Sequence, residues 1–437
     1  MDTYTIIIFL AAAFGLYMAW NIGANDVANS MADAVGSKAM SIRNAVIAAG
    51  LCEFAGAVLV GAQVTNTVRK GIVDPAVLAT LPGITPQDAA VIMVIGMSAA
   101  LLSAAFWLNF STLFGMPVST THSIVGAVAG FGLVAAGWDA VNWVKMGQIV
   151  SSWFISPVAG GFLAYLIFIY ISRSILGQEQ PTKAAIRHMP YIVFVMSAVV
   201  LLATIYKGLK HVIKNIDWLT DTRAFVLSLL LSVVAAIVAK FYAQYKLKGK
   251  ENDKLGDQLE AVEQVFVPLV IISSCSVAFA HGANDVANSV GPLAAVVNIL
   301  KTGVIDAKVP VPLWILALGG VGIVLGLATY GYRVMMTVGT KITEITPSRG
   351  VAADIAATAT VLVCTRLSLP VSTTHTLVGA ILGIGLARGL GGVNKRIVST
   401  IFGSWLFTVP AAAIMSAIFF VLGKIFFFES ISKIIVP

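Results

Sequence analysis

Charge is scarce in this chain. Asp, Glu, Lys and Arg make up 11% of its 437 residues, whereas an ordinary soluble domain carries about 25%. Cysteine is scarcer still. The three present, Cys52, Cys275 and Cys364, are scattered through apolar stretches. Their odd number and wide spacing offer neither a closed disulfide framework nor a metal site. Five histidines form no His-rich cluster that could complete a transition-metal centre. No Gly-x-x-x-x-Gly-Lys-Ser/Thr string occurs, which excludes a nucleotide-driven pump built on that loop. No nucleophile or metal constellation stands out, so the reading is not an enzyme and needs no cofactor. The first apolar run lacks the basic flank of a signal peptide and carries Asp2 instead.

What fills the chain is hydrophobic sequence, 58% of all residues, with a mean hydropathy of +0.92. A membrane span takes roughly 20 apolar residues. About twelve such runs are expected: 4–20, 41–63, 89–110, 119–136, 148–170, 190–206, 223–243, 264–281, 311–336, 351–368, 371–388 and 397–423. Two shorter apolar pieces, 26–37 and 286–300, have the length of half-helices. The runs are too long and continuous for barrel strands, so the expected fold is an all-α polytopic membrane protein. The net charge of +8 falls mostly in loops. Topology and contact with anionic lipid in the bilayer explain it, with no nucleic-acid partner.

Within this apolar sequence one polar string occurs twice. Gly23-Ala24-Asn25-Asp26-Val27-Ala28-Asn29-Ser30 returns unchanged as Gly282-Ala283-Asn284-Asp285-Val286-Ala287-Asn288-Ser289. An Asp at mid-bilayer costs about 2.5–3.5 kcal/mol on insertion scales, so an intramembrane acid is by default a functional site. On a helix, Asn25 and Asn29 stand one turn apart, as do Asp26 and Ser30, giving one polar face. Carboxylate and amide oxygens without thiol or imidazole suit a hard cation. A satisfied interhelical network explains one string, since Asn and Ser join membrane helices. Packing alone does not call for the same acid twice.

A second motif is also doubled. Pro117-Val118-Ser119-Thr120-Thr121-His122 recurs as Pro370-Val371-Ser372-Thr373-Thr374-His375. Each copy stands between an apolar run and a glycine-rich one. Proline disfavours helix continuation and serine is a preferred cap, so the chain is expected to break and restart a helix at Ser119 and Ser372. Hydroxyls clustered with free backbone N–H groups at a helix start make an anion site. A single copy reads more readily as a plain cap in a kinked helix; the doubling beside the doubled acidic string favours the anion site. His122 and His375, just inside each start, are expected to be hydrogen-bonded supports and not metal ligands, with a proton relay left open. Glu53 sits in span 41–63 and Asp354 in span 351–368. A carboxylate paired to a neighbouring helix and a direct role remain open for Glu53.

Counting crossings between Asp26 and Asp285 gives an odd number, so the two strings run in opposite directions through the bilayer. The expected architecture is an N-terminal repeat over 1–172, connecting spans and a basic loop over 173–263, and a C-terminal inverted repeat over 264–437. Inverted repeats with broken or re-entrant helices at the midplane are the signature of secondary transporters. An anion channel is the competing class.

These two doubled motifs resemble the signature of the PiT family of inorganic phosphate transporters, and the resemblance covers nearly the whole chain. It implies cation-coupled import of inorganic phosphate by about twelve spans in the plasma membrane, commonly as a homodimer. Phosphate would lie among Ser119, Thr120, Thr121, Ser372, Thr373 and Thr374 near Asp26 and Asp285. Sodium would be held by Asn25, Asp26, Asn29, Asn284, Asp285 and Asn288. Glu53 and Asp354 match positions that are acidic in the family and suit a cation path. The family also includes proton-driven members and members that carry sulfate.

Overall fold

The computed structural model describes residues 2–69, 72–73, 77, 83–205, 220–305, 311–366 and 371–435, with side chains left aside at 62–69, 365–366 and 390. Among the described residues there is no strand, only an isolated bridge between Val73 and Val141. Nine helices among the described residues are long and apolar enough to cross a bilayer, as the sequence predicts for the bulk of the chain.

In chain order the helices are α1 (Thr3–Ser30), the short α2 (Ala32–Gly36), α3 (Ile42–Arg69), α4 (Pro86–Leu113) and α5 (Thr120–Ala136). Then follow α6 (Trp143–Leu176), α7 (Pro181–Thr204), α8 (Asp221–Leu247), α9 (Leu255–Asp285) and α10 (Ala287–Thr302). The chain closes with α11 (Leu313–Met336), α12 (Pro347–Arg366), α13 (Thr373–Ala387) and α14 (Lys395–Ser432).

Three departures from the sequence expectation matter for the site. The first apolar helix does not stop at Asn21. It runs on through the polar string, which forms a single π-helical turn at Gly23–Val27, and breaks only at Met31. A π turn widens the backbone locally, a feature frequent at functional sites. The second string straddles the junction of α9 and α10 at Val286, whose backbone stays helical. Finally, α5 has 17 residues and α13 has 15. At 1.5 Å per residue they reach about 26 and 23 Å, short of the roughly 30 Å hydrocarbon core. Each is one arm of a broken hairpin, α4–α5 and α12–α13, and not a full span.

The two halves interlock. The hairpin α4–α5 packs on α14, the last helix of the other half, and α13 packs on α6. Polar pins fix the first contact: Ser103 Oγ donates to Ala412 O at 2.6 Å and Trp107 Nε1 to Thr408 Oγ1 at 3.0 Å. In α4, 83% of the most apolar window is buried, against 17% for α14. So α4 is an interior helix, and α14 leaves Leu406, Phe407, Ile414 and Phe426 exposed on the outside of the bundle.

Candidate functional site

Glycine sets how closely the string-bearing helices approach their neighbours. A Cβ on Gly23 would stand 1.8 Å from Ile323 O of α11, and one on Gly282 would stand 2.3 Å from Glu53 O of α3. No other residue allows these contacts. The first glycine of each string therefore seats its helix against a neighbouring backbone and fixes where the following Asp points.

The helix restarts are as the sequence predicts. Ser119 and Ser372 have extended backbone, and their Oγ atoms accept from the backbone N–H of His122 (3.2 Å) and His375 (3.3 Å). Pro370 lies outside the described residues. Gly115 turns the chain at φ +65° between α4 and α5. Asn25 holds the intervening segment. Its Nδ2 donates to Thr112 Oγ1 and Met116 O, both at 2.9 Å, and its Oδ1 accepts from Val118 N at 3.0 Å. Non-helical backbone deep in a membrane protein must be satisfied by protein, and one amide does so here.

These contacts sort the candidate residues by what they touch. Asn25 is fully engaged in holding the break, so the expected polar face of four residues is split. Ser119 and Ser372 spend their oxygens on capping. The side chains that converge are Asp26, Asn29, Asp285 and Asn288 with four threonines.

Their pattern repeats with the halves exchanged. Asp26 Oδ2 accepts from Thr120 Oγ1 at 2.7 Å, and Asp26 Oδ1 accepts from Thr374 Oγ1. Asp285 accepts from Thr121 Oγ1 at 3.4 Å and from Thr373 Oγ1 at 3.5 Å. Each acid thus receives one threonine from each hairpin, and the swap Asp26/Asp285, Thr120/Thr373, Thr121/Thr374 maps the set onto itself. The amides follow. Asn29 Nδ2 approaches Asp26 Oδ1 at 3.4 Å and Thr374 Oγ1 at 3.2 Å. Asn288 Nδ2 donates to Asp285 Oδ1 at 3.1 Å and to Thr120 and Thr121 at 3.2 Å. Asn284 turns to Asp285 Oδ1 at 3.2 Å.

One residue breaks the exchange and was not singled out from the sequence. His281 of α9 is buried, with its Nδ1 in a hydrogen bond to Glu53 Oε2 at 3.2 Å. Its Nε2 lies 2.9 Å from Asp285 Oδ2 and 3.5 Å from Asp26 Oδ2, without a well-directed hydrogen bond. The matching position of the first string is Ile22. Ligand atoms of Asp26, His281 and Asp285 lie within 4.8 Å of one another. The available signal was another ionisable residue inside an apolar run, one turn before Asp285. Glu53 is paired to this imidazole across α3 and α9, which is the first of the two readings the sequence left open, a carboxylate paired to a neighbouring helix.

The two histidines at the helix starts differ from the expectation of hydrogen-bonded supports. His122 and His375 meet edge to face at 4.7 Å, and His375 stacks on Trp405 at 3.7 Å. Among the described residues neither ring nitrogen of His375, nor Nδ1 of His122, meets a hydrogen-bond partner. They act as packed rings behind the helix starts. Asp354 stands apart from the convergent set, bonded to Ser273 at 2.5 Å and Ser274 at 3.0 Å. A cavity leads to Asp26, Asn29 and His281 past Thr358, Thr373 and Thr374, with Ala203 and Leu362 in its wall.

Buried carboxylates, amides and hydroxyls, contributed by broken helices from both halves of an apolar bundle, define a multi-pass membrane transporter. The comparisons agree. The family described as the phosphate transporter family matches residues 22–416. A putative phosphate permease of Pyrococcus furiosus is 44% identical, over 95% of each chain. A chloroplastic inorganic phosphate transporter of Arabidopsis thaliana is 40% identical over 93% of this chain and 70% of its own. A solved structure described as a sodium-dependent phosphate transporter shares 41% identity with a TM-score of 0.83, over 96% of this chain and all of that one, 100%. The chain belongs to the phosphate transporter family.

Proposed function

We propose that the protein imports inorganic phosphate across the plasma membrane by symport with sodium ions. The observation that carries this reading is the exchanged pairing of Asp26 and Asp285 with threonines from both helix starts. Asp26, Asp285 and Glu53 surround one imidazole, so even a charged His281 leaves two negative charges there. Phosphate adds at least one more. Two unit charges 4 Å apart repel by about 4 kcal/mol at an effective dielectric of 20. An anion therefore binds well only if cations come with it, and the cations gain an anionic partner in return.

In this reading Thr120, Thr121, Thr373 and Thr374 turn their hydroxyls from the carboxylates to the phosphate when it binds. The backbone N–H groups and positive dipole ends of α5 and α13 add to its charge stabilisation. Asp26 with Asn29, and Asp285 with Asn288, hold the sodium ions. Asn25 holds the hairpin that presents the threonines, and Ser119 and Ser372 cap the helices, so those three act through positioning. Glu53 and Asp354 line the cation path. The repeats 1–172 and 264–437 are inverted, joined by 173–263, and rock about the site to expose it alternately. The family resemblance adds a homodimer.

Uptake of labelled phosphate into proteoliposomes tests this. An inward sodium gradient should drive accumulation that excess sulfate leaves unchanged. Accumulation driven only by a proton gradient, or flux indifferent to either gradient, would replace the symport reading with a proton-coupled carrier or a channel.

A further inference from the structure

The three cysteines are far apart in sequence, but two of them meet. Cys52 stands on α3 and Cys275 on α9, both half-buried and free. Their thiol groups are within hydrogen-bonding reach of each other. Cys364, buried on α12, stands outside this contact.

The two helices are in backbone contact beside the thiols. A Cβ on Gly56 of α3 would stand 2.2 Å from Phe279 O of α9. Further along α3, a Cβ on Gly61 would stand 2.5 Å from Val286, just past the end of α9, so the helices run side by side in the same direction. Cys52 precedes Gly56 by one turn, and Cys275 precedes Phe279 by one turn. The thiols therefore share a level one turn before the contact. A disulfide joins Cα atoms about 4.4–6.8 Å apart, so it forms only where backbones approach closely. Gly56 supplies that approach.

The pair also lies near the apolar outside of the bundle. Leu51, next to Cys52, is 71% exposed, and Ile272, one turn before Cys275, is 55% exposed. An oxidant reaching the thiols from there must dissolve in hydrocarbon. A quinone does, and it accepts two electrons.

We propose that Cys52 and Cys275 form a redox-sensitive site, which a lipid-soluble quinone oxidises to a disulfide that arrests transport. Each thiol gives up a proton and an electron as the S–S bond forms. The quinone takes both electrons and both protons and leaves as the hydroquinone. A dithiol reopens the bond by thiol–disulfide exchange. The bond joins α3 of the N-terminal repeat to α9 of the C-terminal one. It also adjoins residues of the polar interior: Glu53, next to Cys52, is bonded to His281, and Ser274, next to Cys275, donates to Asp354 at 3.0 Å. Arrest rests on the proposed rocking of the repeats, since a covalent tie at this level stops one from moving against the other.

The test treats the full chain in proteoliposomes with decylubiquinone, a fully substituted quinone that does not alkylate thiols. Peptide mapping should find Cys52 joined to Cys275, and phosphate uptake should fall to background. Dithiothreitol should reverse both. Cys364→Ala should respond like the wild type. Cys52→Ser, Cys275→Ser and the double variant should transport at the untreated rate and ignore the quinone. Failure to find the joined peptide would overturn the site. So would loss of uptake in the double variant under quinone. Joined cysteines with full uptake would overturn the arrest. The symport reading fails separately, through untreated protein whose phosphate uptake ignores a sodium gradient.

Discussion

At the scale of single residues, the candidate site gathers buried carboxylates with hydroxyl and amide partners from both halves. Asp26 and Asp285 are 3% and 2% exposed. Replacing either by Asn keeps its shape and removes its charge, so Asp26→Asn or Asp285→Asn should abolish uptake while the protein still inserts and purifies. Normal uptake by either variant would remove the basis of ion coupling. Thr120 and Thr373 stand in exchanged positions, each hydrogen-bonded to the acid of its own half. Replacing both by Ala should raise the half-saturating phosphate concentration, read in uptake at saturating sodium. An unchanged value would show that the hydroxyls serve only the acids. His281→Ala should impair transport too, since it leaves Glu53 buried without its only described partner. A buried carboxylate stripped of its partner costs several kcal/mol.

At the scale of elements, the doubled motifs were legible because local chemistry dictates them. Proline and serine end and restart a helix wherever they stand, and Ser119 and Ser372 cap α5 and α13 accordingly. Replacing Ser119 by Ala should cost about 1 kcal/mol of stability, seen as a lower midpoint of thermal unfolding in detergent. What the string spacing could not reveal was long-range. Asn25 finds its partners about ninety residues away on α4 and the hairpin, and His281 meets Glu53 across α3 and α9. A pattern read along one helix identifies a polar face but not which neighbour it meets. The π turn at Gly23–Val27 also escaped, because helical periodicity is the same on either side of it. Gly282 is the firmest element-scale prediction. Gly282→Val would force α9 away from Glu53 O and should lower both expression and transport, more than the same change at half-buried Gly403, where nothing lies within 4 Å of an added Cβ.

At the scale of the whole molecule, the apolar runs located nearly every helix, and the odd number of crossings led to inversion. The helices α5 and α13 begin at Thr120 and Thr373, within one or two residues of the starts expected from the sequence. The interlocking of α14 with α4 and of α6 with α13 is a matter of packing, invisible to hydropathy. Inversion is tested by single cysteines placed at exposed Arg43, after the first string, and at exposed Lys301, after the second. With Cys52, Cys275 and Cys364 replaced, an impermeant thiol reagent applied from one side should label one position and spare the other. Labelling of both from the same side would contradict inverted repeats.

The central claim is that anion and cations bind because each neutralises the other at Asp26 and Asp285. Binding free energies coupled in this way are reciprocal. The most direct measurement is a pair of equilibrium titrations on the purified protein: phosphate affinity with and without sodium, and sodium affinity with and without phosphate. The account predicts that sodium tightens phosphate binding, that the overall sodium binding constant rises by the same factor with phosphate, and that both effects vanish in Asp285→Asn. Phosphate binding that is as tight in choline as in sodium would contradict it.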